Sequence, residues 1–446
     1  MPIPNDVDFF LSDKRKRKLV RRKQRKISQF LNISKAALYA RQKFGNHSKL
    51  VAMVAKYYFG KEIQHNGVLK LNIPECFSII ENPEVVISTI GQFAKTFRTF
   101  PPRNIQIDHS RLNKYDLAAN SLLDLIAVEL KKETKLNRMQ LRWQGIYPTD
   151  ANIRRFIKAL GIIKHLRLTH EYPSDTEVAA LKLFDVRNRH YYVNLNPNKA
   201  DKKTNVTTDF ANHINACLQA ENRSLTPDSR HKLCQYVSEI LDNAEQHAGM
   251  VDWTIQGYLD LSCKVPFCEV AIFNFGNTIA ENLGSVSKNS YTWQQIKFYI
   301  LMHRAKKLFK PSWSENDLLT LIALQEKVSS KNLKETDTRG HGTVDLIEFF
   351  QKIYDENAVN GEKKAKMAIL SGSTHILFDG KYKLSAIGTA PRRIAFNPQN
   401  DLTFPPDSDY VRGMKGIHFP GTIISIRFPL SIDRLTEIGS SSDASF

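Results

Sequence analysis

The chain runs to 446 residues, 42 % of them hydrophobic and 10 % aromatic, and carries a formal net charge of +19. Those proportions exclude a disordered chain and leave room for two or three domains with a full apolar core. No apolar run approaches the ~20 residues of a membrane-spanning helix, and the N-terminus does not read as a signal peptide.

Residues 14–26 hold ten basic residues in thirteen, and without those ten the net charge falls to +9. Such a block is either a phosphate-seeking arm for nucleic acid or a solvated tail. Residues 27–59 are dense in Leu, Ile, Ala, Lys and Tyr, lack proline, and read as one or two helices broken near 45–48. Residues 1–60 are thus expected to form a basic, helical N-terminal segment. Within it, residues 31–39 are faintly similar to the turn and recognition helix of helix-turn-helix proteins, with Ser34 as the cap; a packing hairpin is the other reading.

Residues 68–170 read as an α/β domain. Residues 68–73 alternate as a strand does, 83–99 is a helix ended by Pro101-Pro102, and 104–108 is a short strand. A helix follows with Leu117, Leu122, Leu125, Ile126 and Leu130 on its apolar side, then a strand at 139–145 and a helix at 151–160. Strands alternating with helices imply a sheet with helices packed on it. The order resembles the STAS domains that partner anti-sigma-factor kinases. Where many of those carry a phosphorylatable hydroxyl, this chain has Asp116-Leu117-Ala118-Ala119. Residues 171–204, with an edge strand at 191–195 and a polar, turn-rich stretch at 196–203, are the expected linker.

The C-terminal half, 205–432, carries the chemistry. Leu233, Val237, Ile240, Leu241 and Ala244 recur at helical spacing, and Glu239, Asn243 and His247 stack one turn apart beside them. Asp242-Asn243 in mid-helix is a poor choice for helix stability. A carboxylate one turn before a carboxamide can instead present a general base and a hard-oxygen metal ligand at one spot. Residues 270–273 read as a buried strand leading into Asn274-Phe275-Gly276-Asn277-Thr278. Helices are expected at 293–308 and 314–328, the first bearing Lys297, Arg304, Lys306 and Lys307. Arg339-Gly340-His341-Gly342 precedes a helix at 345–354, so its glycines free backbone N–H groups to meet phosphate. Strands follow at 367–372, 375–378 and 421–429, and 433–446 reads as a disordered tail. No G-x-x-x-x-G-K-[ST] loop occurs, which removes the P-loop class.

Four of these stretches, in this order, resemble the boxes of the GHKL superfamily of gyrase, ninety-kilodalton heat-shock chaperones, histidine kinases and MutL. The resemblance covers about half the chain. It implies a two-layer, Bergerat-type α/β sandwich with a mixed sheet and a long helical ATP lid between 284 and 338. It also implies ATP and Mg²⁺ as ligands. Glu239 would activate water, Asn243 would bind the metal, and Asn274, Gly276, Thr278 and Thr422 would surround the adenine. Arg339, Gly340, His341 and Gly342 would meet the phosphates. Asn274 stands where relatives carry an aspartate, and Thr278 where they carry a second glycine.

The implied activity is Mg²⁺-dependent ATP hydrolysis, whose lid closure switches a protein partner. Two alternatives stay open: a serine or histidine protein kinase acting on a separate partner, and a nucleotide-liganded nucleic-acid binder without turnover. Nucleic acid would use residues 14–26, a homodimer is compatible with either, and no membrane partner is expected. Five cysteines, an odd number without a C-x-x-C pair, favour a reducing, cytoplasmic setting over a disulfide frame or zinc site.

Overall fold

A computed structural model describes Lys18, Arg21, Arg22 and residues 48–429, apart from 138, 161–173, 189–199, 220–222, 248–252, 264–265, 329–341, 358–364 and 386–390. Most of the basic block, the helix-turn-helix likeness, the edge strand at 191–195, Arg339, Gly340, His341 and the tail lie outside the described residues.

Helix α1 (Lys49–Lys56) starts where the Ser48 side chain accepts the Val51 N–H. Then come β1 (Val68–Asn72), β2 (Cys76–Phe77), α2 (Pro83–Thr99), β3 (Asn104–Asp108), β4 (Lys114–Tyr115), α3 (Leu117–Leu136), β5 (Arg142–Ile146) and α4 (Ala151–Ala159). Pro83 opens α2 at a position where its missing N–H costs nothing, and Asp116 caps α3 by accepting the Ala119 N–H. Strands β1, β3 and β5 form a parallel sheet in that order. Helices α2 and α3, the crossovers between these strands, pack together on its apolar face. Leu69, Leu71, Ile105 and Ile107 point into that face, while Val68 and Lys70 stay exposed.

A second, seven-stranded sheet follows. Its strands are β6 (Leu181–Asn188), after a short helix α5 (Asp175–Ala179), then β7 (Trp253–Asp260), β8 (Phe267–Phe275), β9 (Lys366–Gly372), β10 (Thr374–Phe378), β11 (Val411–Gly413) and β12 (Phe419–Pro429). The order is β11-β10-β9-β12-β8-β7-β6. The sheet expected to be mixed is antiparallel in every pairing, and parallel pairing is confined to the two smaller sheets. Hairpins such as β9–β10, turning through Gly372 at φ +62, deliver antiparallel neighbours without a crossover.

The helices between these strands are α6 (Ala200–Leu218), α7 (Pro227–His247), α8 (Ile279–Gly284), α9 (Tyr291–Ala305), α10 (Glu315–Ile322) and α11 (Gly342–Asn357). They cover one face of the large sheet, burying Ile255, Val270, Ile272, Ile369, Ile424 and their neighbours. The opposite face, with Ala271, Phe273, Phe275, Leu370 and Ile423, packs on α3 and the rest of the N-terminal half. Four layers result, sheet, helices, sheet and helices, and α3 lies between two sheets.

Two expectations are corrected here. The interval 171–204, expected to be a linker, supplies β6, which pairs along its whole length with β7. Lys182, Asp185 and Arg187 hide it in the sequence, yet charge is what an edge strand carries. The helices of the expected lid are also fixed parts of the helix layer. Ile296 and Ile300 of α9 and Leu318, Leu321 and Ile322 of α10 are buried in the core. Asp317 accepts from the Thr374 hydroxyl at 2.7 Å, and the Trp313 ring N–H donates to His303 Nδ1 at 3.3 Å. Moving α9 and α10 as a lid would strip this apolar surface from the core.

No helix among the described residues is long and apolar enough to cross a membrane.

Candidate functional site

The candidate site begins with a register. In β8, Asn274 faces Trp253 of β7 on one side and Thr422 of β12 on the other. Thr422 faces Ser371 of β9, and Ser371 faces Thr374 of β10. Because side chains alternate along a strand, Asn274 lies on the same face as Val270 and Ile272, the face covered by helices. Trp253, Thr422 and Ser371 share that face with Ile255, Ile424 and Ile369. A polar row therefore crosses the sheet beneath the helix layer, one position beyond the last apolar row.

Ser371 ties this row together. Its Oγ accepts the Ile279 N–H at 2.9 Å, lies 2.9 Å from Thr422 Oγ1, and donates to the Gly421 carbonyl at 3.2 Å. With that proton committed to Gly421, Thr422 is the donor to Ser371, which leaves Thr422 with lone pairs to offer. Asn274 is half-buried, and its amide has no hydrogen-bond partner among the described residues. A half-buried amide without a partner in a polar row is a place for a ligand to hydrogen-bond.

Glycines shape the rim. The chain leaves β8 through Gly276 at φ +124, whose N–H donates to Pro420 O at 3.1 Å. Gly421 sits at φ +138, where a Cβ would collide with the Asn274 carbonyl oxygen. Thr278, expected beside the adenine, is the N-cap of α8: its hydroxyl accepts the Glu281 N–H at 3.1 Å, and Glu281 accepts the Thr278 N–H at 2.7 Å. That capping box fixes where α8 starts. It uses one lone pair of the Thr278 hydroxyl.

Above the row, α7 touches β7 and β8 and packs beside α11. Leu233, Val237 and Leu241 are buried, as the apolar spacing requires. Glu239, Asn243, Asp242 and His247 belong to the C-terminal turns of α7, and their side chains lie outside the described residues. Gly342 opens α11 three residues earlier than the sequence suggested. The packing of α7 on α11 thus brings the helix of the first motif beside the helix that follows the glycine-rich one. Among the described residues no group of three or more His, Cys, Asp or Glu could hold a metal ion.

The other face of β8 carries a buried charge. Glu269 Oε2 accepts the Leu117 N–H at the start of α3 at 2.7 Å. Arg427 Nε stands 3.4 Å from its other oxygen without hydrogen-bond alignment, so that contact is Coulombic. Burial pushes the Glu269 carboxyl up to about 6, against the pull of Arg427. Asp116 beside it is also raised by burial, although Ser78 Oγ at 2.6 Å and the Ile80 N–H at 3.0 Å donate to it. One strand therefore presents a polar row to the helix layer and an acid to the N-terminal half.

Trp253, Ser371 and Thr374 were not singled out from the sequence. The signal for Ser371 was present in phase: it follows Met367 and Ile369 at a spacing of two. Its partners on other strands were not. Comparison of the chain with protein-family models, with curated proteins and with solved structures finds no match.

Proposed function

We propose that this protein binds ATP in a GHKL-type sandwich formed by the large sheet and its helix layer, and hydrolyses it with Mg²⁺. The observation that carries this reading is the pairing of Asn274 with Thr422 across β8 and β12, in a sheet whose strand β8 the helix containing Glu239 and Asn243 touches. The base would use the unpartnered Asn274 amide and the Thr422 hydroxyl. Gly276 lets the backbone approach it closely. The phosphates would lie toward the start of α11, where backbone N–H groups lack intrahelical acceptors and favour negative charge.

The donor types suit the ion. Mg²⁺ prefers oxygen ligands and keeps several waters, and a carboxamide oxygen such as that of Asn243 is a ligand of this kind. Bound there, it would neutralise charge on the triphosphate. Glu239 would draw the proton from the attacking water, a role typically worth 10²–10⁴-fold. Because α9 and α10 are anchored in the core, neither helix would supply a closure over the nucleotide. The N-terminal half, with its three parallel strands and crossover helices, would be the STAS-like regulatory unit, coupled to the site through β8.

The test is calorimetry with Mg²⁺-ATP on the full chain, followed by phosphate release from wild type and Glu239→Ala. The reading expects both proteins to bind ATP and the variant to lose turnover. Label passed to a protein would favour the kinase alternative. No binding of adenine nucleotide at millimolar concentration would end the proposal.

A further inference from the structure

Helix α9 leaves an apolar stripe uncovered. Its buried side holds Thr292, Ile296, Ile300 and His303. On the opposite side Phe298 is 53 % exposed and Leu301 51 % exposed, one turn apart. Phe404, also exposed, lies near the C-terminal half of α9, because His303 Nε2 is 2.9 Å from Leu402 O and Lys306 Nζ sits 4.5 Å from the Phe404 ring centroid. Single exposed apolar residues need no explanation, but a cluster of them marks a contact surface.

Beside this stripe a cavity of about 620 Å³ opens between α9, the end of α10 and the segment 391–402. Tyr291, Phe298 and Tyr299 form its α9 wall, with Val328, Leu402 and Arg393 across from them. Its floor is rigid: Gln325 donates to Leu321 O at 2.7 Å and Ile394 O at 3.1 Å, and accepts the Ile394 N–H at 3.0 Å. A preformed pocket costs its occupant less ordering entropy.

The unpartnered charge around it is basic. Lys297, Lys307, Lys310 and Arg393 are exposed and have no side-chain partner among the described residues. The nearby acids are already engaged, Glu315 by Arg304 at 2.5 Å and Glu326 by Arg392 at 3.1 Å. From Gln294 to Ala305 the helix runs about 16 Å at 1.5 Å per residue, enough for a short docked segment.

We infer that the groove formed by α9 and its adjoining cavity docks an acidic segment of a partner protein, which seats an apolar or aromatic side chain against Phe298 and Tyr299 while its carboxylates meet Lys297 and Arg393. A second copy of this chain, at +19, is repelled rather than recruited. A bilayer would leave the cavity unfilled, and phosphates gain nothing from Phe298 and Leu301. Amphipathic segments read by spaced apolar anchors fit both features. The inference is independent of nucleotide binding, since none of these residues belongs to the polar row.

The experiment uses the full chain and a fluorescein-labelled, Glu- and Asp-rich peptide of about twelve residues, with Leu and Phe at i and i+4. Anisotropy should report saturable binding that weakens roughly tenfold in Phe298→Ser and again in Arg393→Glu, as expected for an anchor and its charge partner. A peptide of equal charge with both anchors changed to Ser should lose a similar factor. Phe298 and Arg393 are exposed, so both variants should keep the wild-type melting temperature. The inference fails if no peptide binds, if the anchorless peptide binds equally well, or if both variants bind like wild type. It also fails if a single-stranded oligonucleotide or anionic vesicles bind the same surface and depend equally on Phe298.

Discussion

Acidification should loosen the contact between the two halves through His375. This residue of β10 is fully buried, and its Nε2 lies 3.1 Å from the Ile79 carbonyl of the N-terminal half. The carbonyl accepts, so the neutral ring carries its proton on Nε2, and buried Nδ1 has no partner. A second proton would place an N–H without an acceptor, and a positive charge near Arg412, inside the core. Burial first, then Arg412, depress the imidazole from 6.5 to about 4. Between those values the unfolded chain holds a proton that the folded chain refuses, so stability falls as pH drops through the window. The gap corresponds to about 3 kcal/mol at ~1.4 kcal/mol per tenfold, of which roughly 2 kcal/mol is lost by pH 5. His109, also depressed to about 4 by burial, adds a loss of the same sign. The informative quantity is therefore the difference between wild type and His375→Gln, whose amide can still donate to Ile79 O but does not titrate. Urea unfolding at pH 7 and pH 5 should show the variant losing about 2 kcal/mol less than wild type. Identical losses in both proteins would refute the argument.

Three further outcomes follow from the geometry. Gly421→Ala should cost roughly 2–4 kcal/mol, since φ +138 is strained for alanine and its Cβ meets the Asn274 carbonyl; an unchanged melting temperature would contradict this. Glu269, raised from 4.5 to about 6, holds in the fold a proton that the unfolded chain has released, so its contribution to stability is lost as pH rises through that window. Glu269→Gln should remove this loss of about 2 kcal/mol, measured by the change in unfolding free energy from pH 4.5 to pH 7. Asn274→Ala should leave stability within about 0.5 kcal/mol, because the amide has no described partner, yet weaken Mg²⁺-ATP binding roughly tenfold by calorimetry. Equal affinity would detach Asn274 from the site.

Local elements were legible wherever the signal was local. The helix at 83–99 and the strand at 104–108 are observed with those bounds, because Pro83 marks a helix start and Pro101-Pro102 ends it. Helix α3 shows where such reading stops. Asn120, Ser121, Asp124, Glu133 and Thr134 look like a solvated side, yet all are buried because α3 lies between two sheets. Glu133, for example, accepts the Ser48 N–H at 2.7 Å. Strand β7 behaves in the same way: Thr254, Gln256 and Asp260 alternate with apolar residues as an exposed face does, yet all three are buried, with Arg155 reaching Asp260 at 2.7 Å.

By itself the sequence determined the bounds of the helix at 83–99, the apolar spacing of α7, the buried strand before Asn274 and the chemical types at the candidate site. Spacing, capping and side-chain chemistry act within a few residues, and so they are written in order along the chain. Tertiary structure alone decided that Asn274, Thr422 and Ser371 form one row, that residues 181–188 close a sheet edge, and that the expected lid helices are core. Those outcomes depend on strand register and on which faces bury each other. A shift of one residue in any pairing would turn the polar row to the other side of the sheet.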